Sequence, residues 1–331
     1  MVFRPAIFGV KGTTLSAEER AFFQDVQPFG FILFARNIES KAQVNALCVE
    51  MCSITGRVDT PILIDQEGGR VARLRPPIWR KCPPAKVFAD LCKSDEQKAT
   101  RAVYLNARLI AAELTEIGVN VDCAPMLDIL FPEAHDIVGD RAFGETTEQI
   151  IRLGKAMADG LREGGVMPII KHIPGHGRAM VDSHESLPVV RASHAELSAT
   201  DFVPFKALKD IPWAMTAHIT YTAIDSKPAT LSSKTISVIR NEIGFNGLLL
   251  TDDLSMKALT GNFAERTTES LNADCDIVLH CNGDMAEMKP IASVLPETKK
   301  ETLARIARGN AWLKTKKPDI KATEEELATL I

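Results

Sequence analysis

The sequence has no cysteine pattern that would indicate a disulfide framework or a zinc ribbon. Its seven cysteines are odd in number, and no two of them have the C-x-x-C spacing. We therefore expect reduced thiols in a cytosolic protein. Most of these cysteines are expected to act as small buried hydrophobic residues rather than as reactive groups.

Three further absences exclude other classes of protein. There is no block of lysine and arginine, and 39 basic against 43 acidic residues give a formal net charge of −4, so nothing favours a nucleic-acid partner. The apolar runs are only as long as strands, too short to span a membrane. The N-terminal apolar run is too short for a signal peptide. We therefore expect a cytoplasmic protein with neither a nucleic-acid nor a membrane partner.

The sequence does contain a regular alternation of short β-branched runs and stretches of helical periodicity. Eight strands are predicted, at Ala6–Val10, Gly30–Phe34, Ile62–Ile64, Asn120–Asp122, Met167–Lys171, Trp213–His218, Leu248–Thr251 and Asp276–His280. Helices are predicted at Ala17–Asp25, Lys41–Thr55, Asp95–Ile117, Thr147–Glu163, Ser198–Leu208, Thr235–Ile243, Ala264–Ala273, Glu287–Val294 and Lys300–Lys314.

Eight alternating units predict a parallel sheet, because strands buried on both faces form continuous apolar runs. The count favours an α/β fold of the (β/α)8 TIM-barrel type, and a doubly wound open sheet is the alternative. No Gly-Pro-Ser linker divides the 331 residues. We therefore expect one catalytic domain over residues 1–331, in which 300–331 form a C-terminal helix and tail and the proline-rich stretch 75–86 forms a long loop.

Polar side chains stand at the ends of most predicted strands. They are Asp65, Asp122, Lys171 with His172, His218, Asp252 with Asp253, and His280. In a barrel the strands end at one rim, where the active sites of such enzymes lie. A polar residue at a single strand end usually caps a helix or makes a hydrogen bond within a loop. Polar residues at the ends of six predicted strands together favour a catalytic face.

The segment after the fifth predicted strand, residues 171–188, contains three of the seven histidines. Its proline and glycines exclude a regular helix, so His172 and His176 do not form a helical metal-binding pair. Asp182 stands two residues before His184, and a carboxylate bonded to an imidazole fixes its tautomer and prepares it for proton transfer. An Asx-type turn beside a solvated histidine is the alternative interpretation.

These motifs resemble those of the family 3 glycoside hydrolases, and most closely the bacterial single-domain β-N-acetylglucosaminidases of peptidoglycan recycling. The resemblance extends from about residue 6 to residue 283. The motifs that carry it lie at 33–37, 65–73, 124–128, 139–144, 171–188 and 251–256. Ile173 replaces the usual aromatic residue, and the loop at 75–86 is poorly matched, which could alter recognition beyond the first sugar.

The resemblance implies a role for each site residue. Asp252 would be the nucleophile, and His184 would be the general acid/base with Asp182 as its orienting partner. The sugar would be held by Asp65, Arg73, Arg141, Lys171 and His172. It also implies a (β/α)8 barrel without metal or cofactor. Its substrate would be a small carbohydrate with a terminal non-reducing N-acetylglucosamine, such as a GlcNAc-1,6-anhydro-N-acetylmuramyl peptide, and we expect a monomer.

Three alternatives stay open at this point. A metal-dependent barrel hydrolase is disfavoured because the first predicted strand is not followed by a His-x-His pair. The histidines of the 171–188 segment also do not have the spacing of metal ligands on a helix or strand. A non-catalytic sugar-binding protein would not need a nucleophile. A phosphorylase of the same family would differ only in the acceptor, because a neutral imidazole would not repel phosphate.

Overall fold

The computed structural model describes residues 3–132, 136–183, 185–314, 316 and 318–331. The strands are β1 Arg4–Gly9, β2 Pro28–Leu33, β3 Ile62–Ile64, β4 Val121–Asp122, β5 Met167–Ile173, β6 Val189–Val190, β7 Trp213–Thr216, β8 Thr220–Tyr221, β9 Leu248–Asp253 and β10 Ile277–His280. Within these described residues, eight parallel strands close into a barrel in the order β1-β2-β3-β4-β5-β7-β9-β10. The predicted (β/α)8 barrel is confirmed, because β1 pairs with β10 and leaves no open sheet.

Helices cover the outside of the barrel. They are α1 Ala17–Val26, α2 Lys41–Thr55, α3 Ala85–Cys92, α4 Glu96–Glu116, α5 Thr147–Glu163, α6 His194–Ala199, α7 Val203–Ala207, α8 Ser233–Ser237, α9 Phe263–Asn272, α10 Met285–Ser293, α11 Lys300–Trp312 and α12 Ile320–Leu330. A π-helical turn, Val238–Ile243, continues α8. None of the helices in the described part of the chain combines the length and the apolar character that crossing a bilayer requires.

The helices differ from the predictions at three places, one of which is the expected C-terminal tail, where α12 forms. The single helix predicted at Ser198–Leu208 is wrong, because α6 ends and α7 begins inside that range. Pro204 lies in the first turn of α7, where its fixed φ and missing N–H suit a helix start. Helix α3 was not predicted, since it follows Pro84 directly and the proline-rich sequence before it indicates a loop.

The core has two layers, which follow from the alternation of side chains along each strand. Inward-facing residues such as Ile32, Leu63 and Met215 fill the barrel. Outward-facing residues such as Phe8, Ile64 and Ala214 pack under the helices. Each fully buried aliphatic or aromatic side chain contributes about 1.5–3 kcal/mol through removal of apolar surface from water, so the strands form a stable frame for the polar rim above them.

Outside the barrel, β6 and β8 pair with each other in parallel, with Val189 opposite Thr220 and Val190 opposite Tyr221. The Thr220 amide also donates to the carbonyl of Pro188 at 3.0 Å. This short sheet fixes the C-terminal end of the long segment after β5, which carries the predicted acid/base residues.

Candidate active site

A cavity of about 550 Å³ opens at the carboxyl ends of the barrel strands. Its lining includes Asp65 after β3, Lys171 on β5, Met215 on β7 and Asp252 on β9. This volume is within the usual range for small-molecule sites. The position agrees with that of active sites in other barrels of this type.

Asp65 forms one side of a charged network in this cavity. Its Oδ1 accepts a hydrogen bond from Nζ of Lys171 at 2.9 Å, and its Oδ2 accepts one from Arg73 at 3.1 Å. Burial alone would raise the pKa of Asp65, but the positive charges of Lys171 and Arg73 outweigh burial and hold the pKa well below its ordinary value. The carboxylate is therefore ionised throughout the physiological pH range.

Glu67 extends the network and was not singled out in the sequence. One of its oxygens accepts from Lys171 Nζ at 2.6 Å and from Arg141 at 2.8 Å, and the other accepts from Arg141 Nε at 2.9 Å. Burial opposes ionisation, yet the charges of Arg141 and Lys171 lower the pKa of Glu67 to about 2. Its position two residues after the strand-end Asp65 was the signal in the sequence that could have identified it.

Lys171 is buried between these two carboxylates. Burial would lower the pKa of Lys171, but Asp65 and Glu67 together raise the pKa above its ordinary value. A lysine ammonium has three N–H donors, and two of them have carboxylate acceptors here. Lys171 is therefore a fixed cation whose third donor is available to a ligand in the cavity.

A second buried network contains Asp128, His172 and His176. Oδ2 of Asp128 accepts from Nδ1 of His172 at 2.7 Å, and Oδ1 accepts from the His176 amide at 2.6 Å. Burial would raise the pKa of Asp128, but the neighbouring His172 and these hydrogen bonds lower the pKa below its ordinary value. Burial and the neighbouring His172 lower the pKa of His176 to about 4, so its ring is neutral.

Asp252 and Asp253 occupy the end of β9 and have different surroundings. Oδ1 of Asp252 accepts from the amide of Asp253 at 2.8 Å, and its side chain lines the cavity. The Asp253 carboxylate accepts from the Ser255 amide at 3.0 Å, the Ser255 hydroxyl at 2.5 Å and the Cys281 amide at 3.1 Å. Asp253 thus connects the end of β9 to the residue that follows β10.

The loop after β5 is only partly described. The backbone carbonyl of Asp182 accepts from the amides of Glu185 and Ser186 at 3.0 Å each. Ser183 lines the cavity and is hydrogen-bonded through Oγ to Nε2 of His176 at 3.2 Å. His184 lies outside the described residues, so its pairing with Asp182 stays a prediction.

Three of the polar strand ends, Asp122, His218 and His280, do not line the cavity, which corrects the sequence-based expectation of a single catalytic rim. Val121 and Cys123 point into the barrel, so Asp122 between them points outward, where it accepts from the amide of Gln66 at 2.9 Å. Burial raises the pKa of Asp122 to about 7. His280 likewise points outward, and its Nε2 bonds Glu287 at 2.7 Å beneath the helices.

Six of the predicted site residues do meet in one place. The cavity is lined by Asp65, Arg73, Arg141, Lys171, His172 and Asp252. Across the residues that the structure describes, no group of three histidine, cysteine, aspartate or glutamate side chains has a geometry that could hold a metal ion. The charged groups that line the cavity are mostly bound to one another as ion pairs.

Comparisons with known proteins agree with this arrangement. Residues 7–310 match the model of the glycosyl hydrolase family 3 N-terminal domain. A beta-hexosaminidase of Methylobacillus flagellatus is 36% identical over 315 residues, which cover 93% of this chain and 89% of that protein. A beta-hexosaminidase of Alkalilimnicola ehrlichii is 38% identical over 287 residues, covering 85% and 82%. NagZ from Neisseria gonorrhoeae in complex with N-trifluoroacetyl-D-glucosamine superimposes with a TM-score of 0.88 at 28% identity, covering 100% of this chain and 98% of that one.

Proposed function

Because this chain belongs to glycosyl hydrolase family 3, it is a glycoside hydrolase, and we propose that it cleaves its substrate with retention through a covalent glycosyl-enzyme on Asp252. The observation that carries this proposal is the cavity itself. It brings the Asp252 carboxylate together with three cations, Arg73, Arg141 and Lys171. Nearby positive charge favours the ionised, nucleophilic form of a carboxylate.

The activity is that of a β-N-acetylhexosaminidase. Two relatives that match more than four fifths of the chain are named beta-hexosaminidases, and the NagZ structure that superimposes on the whole chain holds an N-acylated glucosamine. The substrate is a terminal non-reducing N-acetylglucosamine residue. We extend the proposal to GlcNAc-1,6-anhydro-N-acetylmuramyl peptides in cell-wall recycling, with the enzyme acting as a monomer in the cytoplasm.

The sugar-binding groups have the donor and acceptor capacity that a polyhydroxylated ring needs. Asp65 accepts from hydroxyl groups, whereas Arg73, Arg141 and Lys171 donate to hydroxyl or acetamido oxygens. His172 has Nδ1 bound to Asp128, which leaves Nε2 for the ligand. Buried polar partners of this kind discriminate strongly against a sugar that lacks the matching group.

Hydrolysis then proceeds in two steps. Asp252 attacks the anomeric carbon while His184, protonated with the support of Asp182, gives its proton to the leaving oxygen. The ionised Asp252 also stabilises the positive charge that develops on the ring. In the second step, neutral His184 takes a proton from water, which attacks the anomeric carbon and releases Asp252 with overall retention.

The test compares an aryl N-acetyl-β-glucosaminide with the corresponding glucoside and determines the first-formed anomer by NMR. We expect cleavage of the former only, with the β-anomer released first. Preference for the glucoside, or an inverted product, would contradict the proposal. Asp252→Ala should abolish turnover while leaving the unfolding temperature nearly unchanged. His184→Ala should impair substrates with poor leaving groups far more than activated ones, because activated groups need less proton donation.

A further inference from the structure

Glu67 contacts both cations on its side of the cavity, yet its side chain is only 7% exposed. Three hydrogen bonds from Lys171 and Arg141 occupy its two oxygens. A carboxylate has about four acceptor sites, so Glu67 has little capacity left to bind a ligand itself. Glu67 therefore acts on the substrate through the two cations rather than by direct contact, and on the rest of the cavity through its charge.

The geometry of these contacts restricts both partners. Arg141 presents Nε and one terminal nitrogen to Glu67 side by side, and its other terminal nitrogen donates to the Ile137 carbonyl at 3.0 Å. A paired contact of this type fixes the plane of a guanidinium. Lys171 is held between Asp65 and Glu67, so its ammonium has a defined position.

The charges alternate along this wall of the cavity. Their order is Arg73, Asp65, Lys171, Glu67, Arg141. Loss of the Glu67 charge would leave Lys171 and Arg141 adjacent without a carboxylate between them. It would also add a net positive charge near the anomeric carbon, where the transition state itself becomes positive. Asp122 on β4 lies within electrostatic reach of this wall, because burial raises its pKa and the charges of Asp65 and Glu67 raise it further.

We propose that Glu67 is a positioning residue for glycoside hydrolysis, which fixes Lys171 and Arg141 for contact with the sugar and offsets their charge at the reacting carbon. This inference rests on the proposed function, because it takes Lys171 and Arg141 as sugar-binding groups. The proposal predicts two separable effects. The position of the Glu67 carboxylate affects substrate binding, and its negative charge affects the chemical step.

Two substitutions separate these effects, with an aryl N-acetyl-β-glucosaminide as substrate. Glu67→Gln keeps the shape and removes the charge, and we expect KM to rise and kcat to fall by about tenfold each. The acidic limb of the kcat/KM profile should move to lower pH by about half a unit, because a negative charge near Asp252 is lost. Glu67→Asp keeps the charge but shortens the side chain, so KM should rise while the acidic limb stays in place.

Glu113→Gln is the matched control. Glu113 lies on α4 outside the cavity, and its partly buried carboxylate pairs with Arg80 at 3.4 Å. Its substitution should leave KM, kcat and the acidic limb unchanged. If the Glu67→Gln protein does not fold, Glu67→Asp decides, and an unaltered KM in that variant overturns the proposal.

The failures of the two proposals are distinguishable. If the wild-type protein does not cleave the N-acetylglucosaminide, the proposed function is wrong. If the wild-type protein cleaves it and Glu67→Gln matches wild type within twofold in both constants, only the role of Glu67 is overturned. The role of Glu67 is also overturned if the acidic limb moves equally in Glu67→Gln and Glu67→Asp. Only the first substitution removes the charge, so equal shifts would not come from the charge of Glu67.

Discussion

Nε2 of His218 donates a hydrogen bond to the backbone carbonyl of Asp253 at 2.9 Å, directly after the proposed nucleophile Asp252. Because a carbonyl only accepts, Nε2 carries the proton, and Nδ1 accepts from the Thr230 hydroxyl at 2.7 Å. Burial lowers the pKa of His218, so the ring is neutral. The end of β9 is thus held by a donor that adds no charge beside the nucleophile.

Replacing His218 should reduce turnover more than binding. His218→Leu removes the donor to Asp253, and we expect kcat to fall by roughly 10- to 100-fold with KM nearly unchanged, since a displaced nucleophile loses its attack geometry. His218→Gln retains an N–H donor and should recover much of the loss. Steady-state kinetics and thermal unfolding of both variants check this prediction. Equal kcat values for the two variants would contradict a role for the donor.

His176 should contribute a loss of fold stability on mild acidification, which Asp122 opposes over the same range, because its raised pKa of about 7 lets the folded state bind the extra proton there. The folded pKa of His176 is about 4, whereas an unfolded histidine titrates near 6.5, so the unfolded state binds more protons between these values. The contribution of the neutral ring is full above about pH 6.5 and is lost as the pH falls towards 4. It amounts to about 3 kcal/mol.

Urea unfolding at a series of pH values measures this dependence, with His176→Asn as the comparison. Relative to wild type, the free energy of unfolding of the variant should rise by about 2–3 kcal/mol as the pH falls from 6.5 to 4.5, because the opposing contribution of Asp122 is common to both proteins. Glu67, whose folded pKa is about 2, contributes a loss only below its ordinary value of 4.5, so it does not obscure this range. Parallel curves for the two proteins would show that His176 is not the titrating group.

Gly177 has a packing requirement that excludes a side chain. A Cβ atom there would lie 2.2 Å from the carbonyl oxygen of Ile129, and overpacking of this kind typically costs about 1–3 kcal/mol. We expect Gly177→Ala to lower the free energy of unfolding by at least that amount. Gly12→Ala is the control, because its nearest neighbouring atom would be 3.9 Å away. A similar stability for both variants would show that the loop adapts freely.

The fold was largely predictable because each buried parallel strand is a continuous apolar run between polar turns. Helix α3 was not predicted because Pro83 and Pro84 precede it, and a proline-rich sequence indicates a loop even where it leads into a helix. The break between α6 and α7 could have been anticipated from Pro204, which suits a first turn and not a helix interior.

The lining of the cavity was predictable where it coincides with a strand end, as at Asp65, Lys171 and Asp252. Asp122 and His280 were misplaced because the two-residue alternation of side-chain direction was not applied at the strand ends. Glu67 was not assigned from the sequence, although it stands two residues after Asp65, because its significance depends on Arg141, which lies 74 residues away in the chain.

The loop that carries Asp182 is held at both of its ends by contacts with β8, which lies just outside the barrel. The Tyr221 hydroxyl donates to the Gly175 carbonyl at 2.7 Å at one end, and the β6–β8 sheet holds the other. A surface segment that leaves and rejoins a scaffold at fixed points can change in length and sequence without disturbing that scaffold. The loop that carries Asp182 can therefore vary in evolution, and with it the preferred leaving group or acceptor of the proposed reaction, while the barrel keeps Asp252 and the other cavity-lining residues in place.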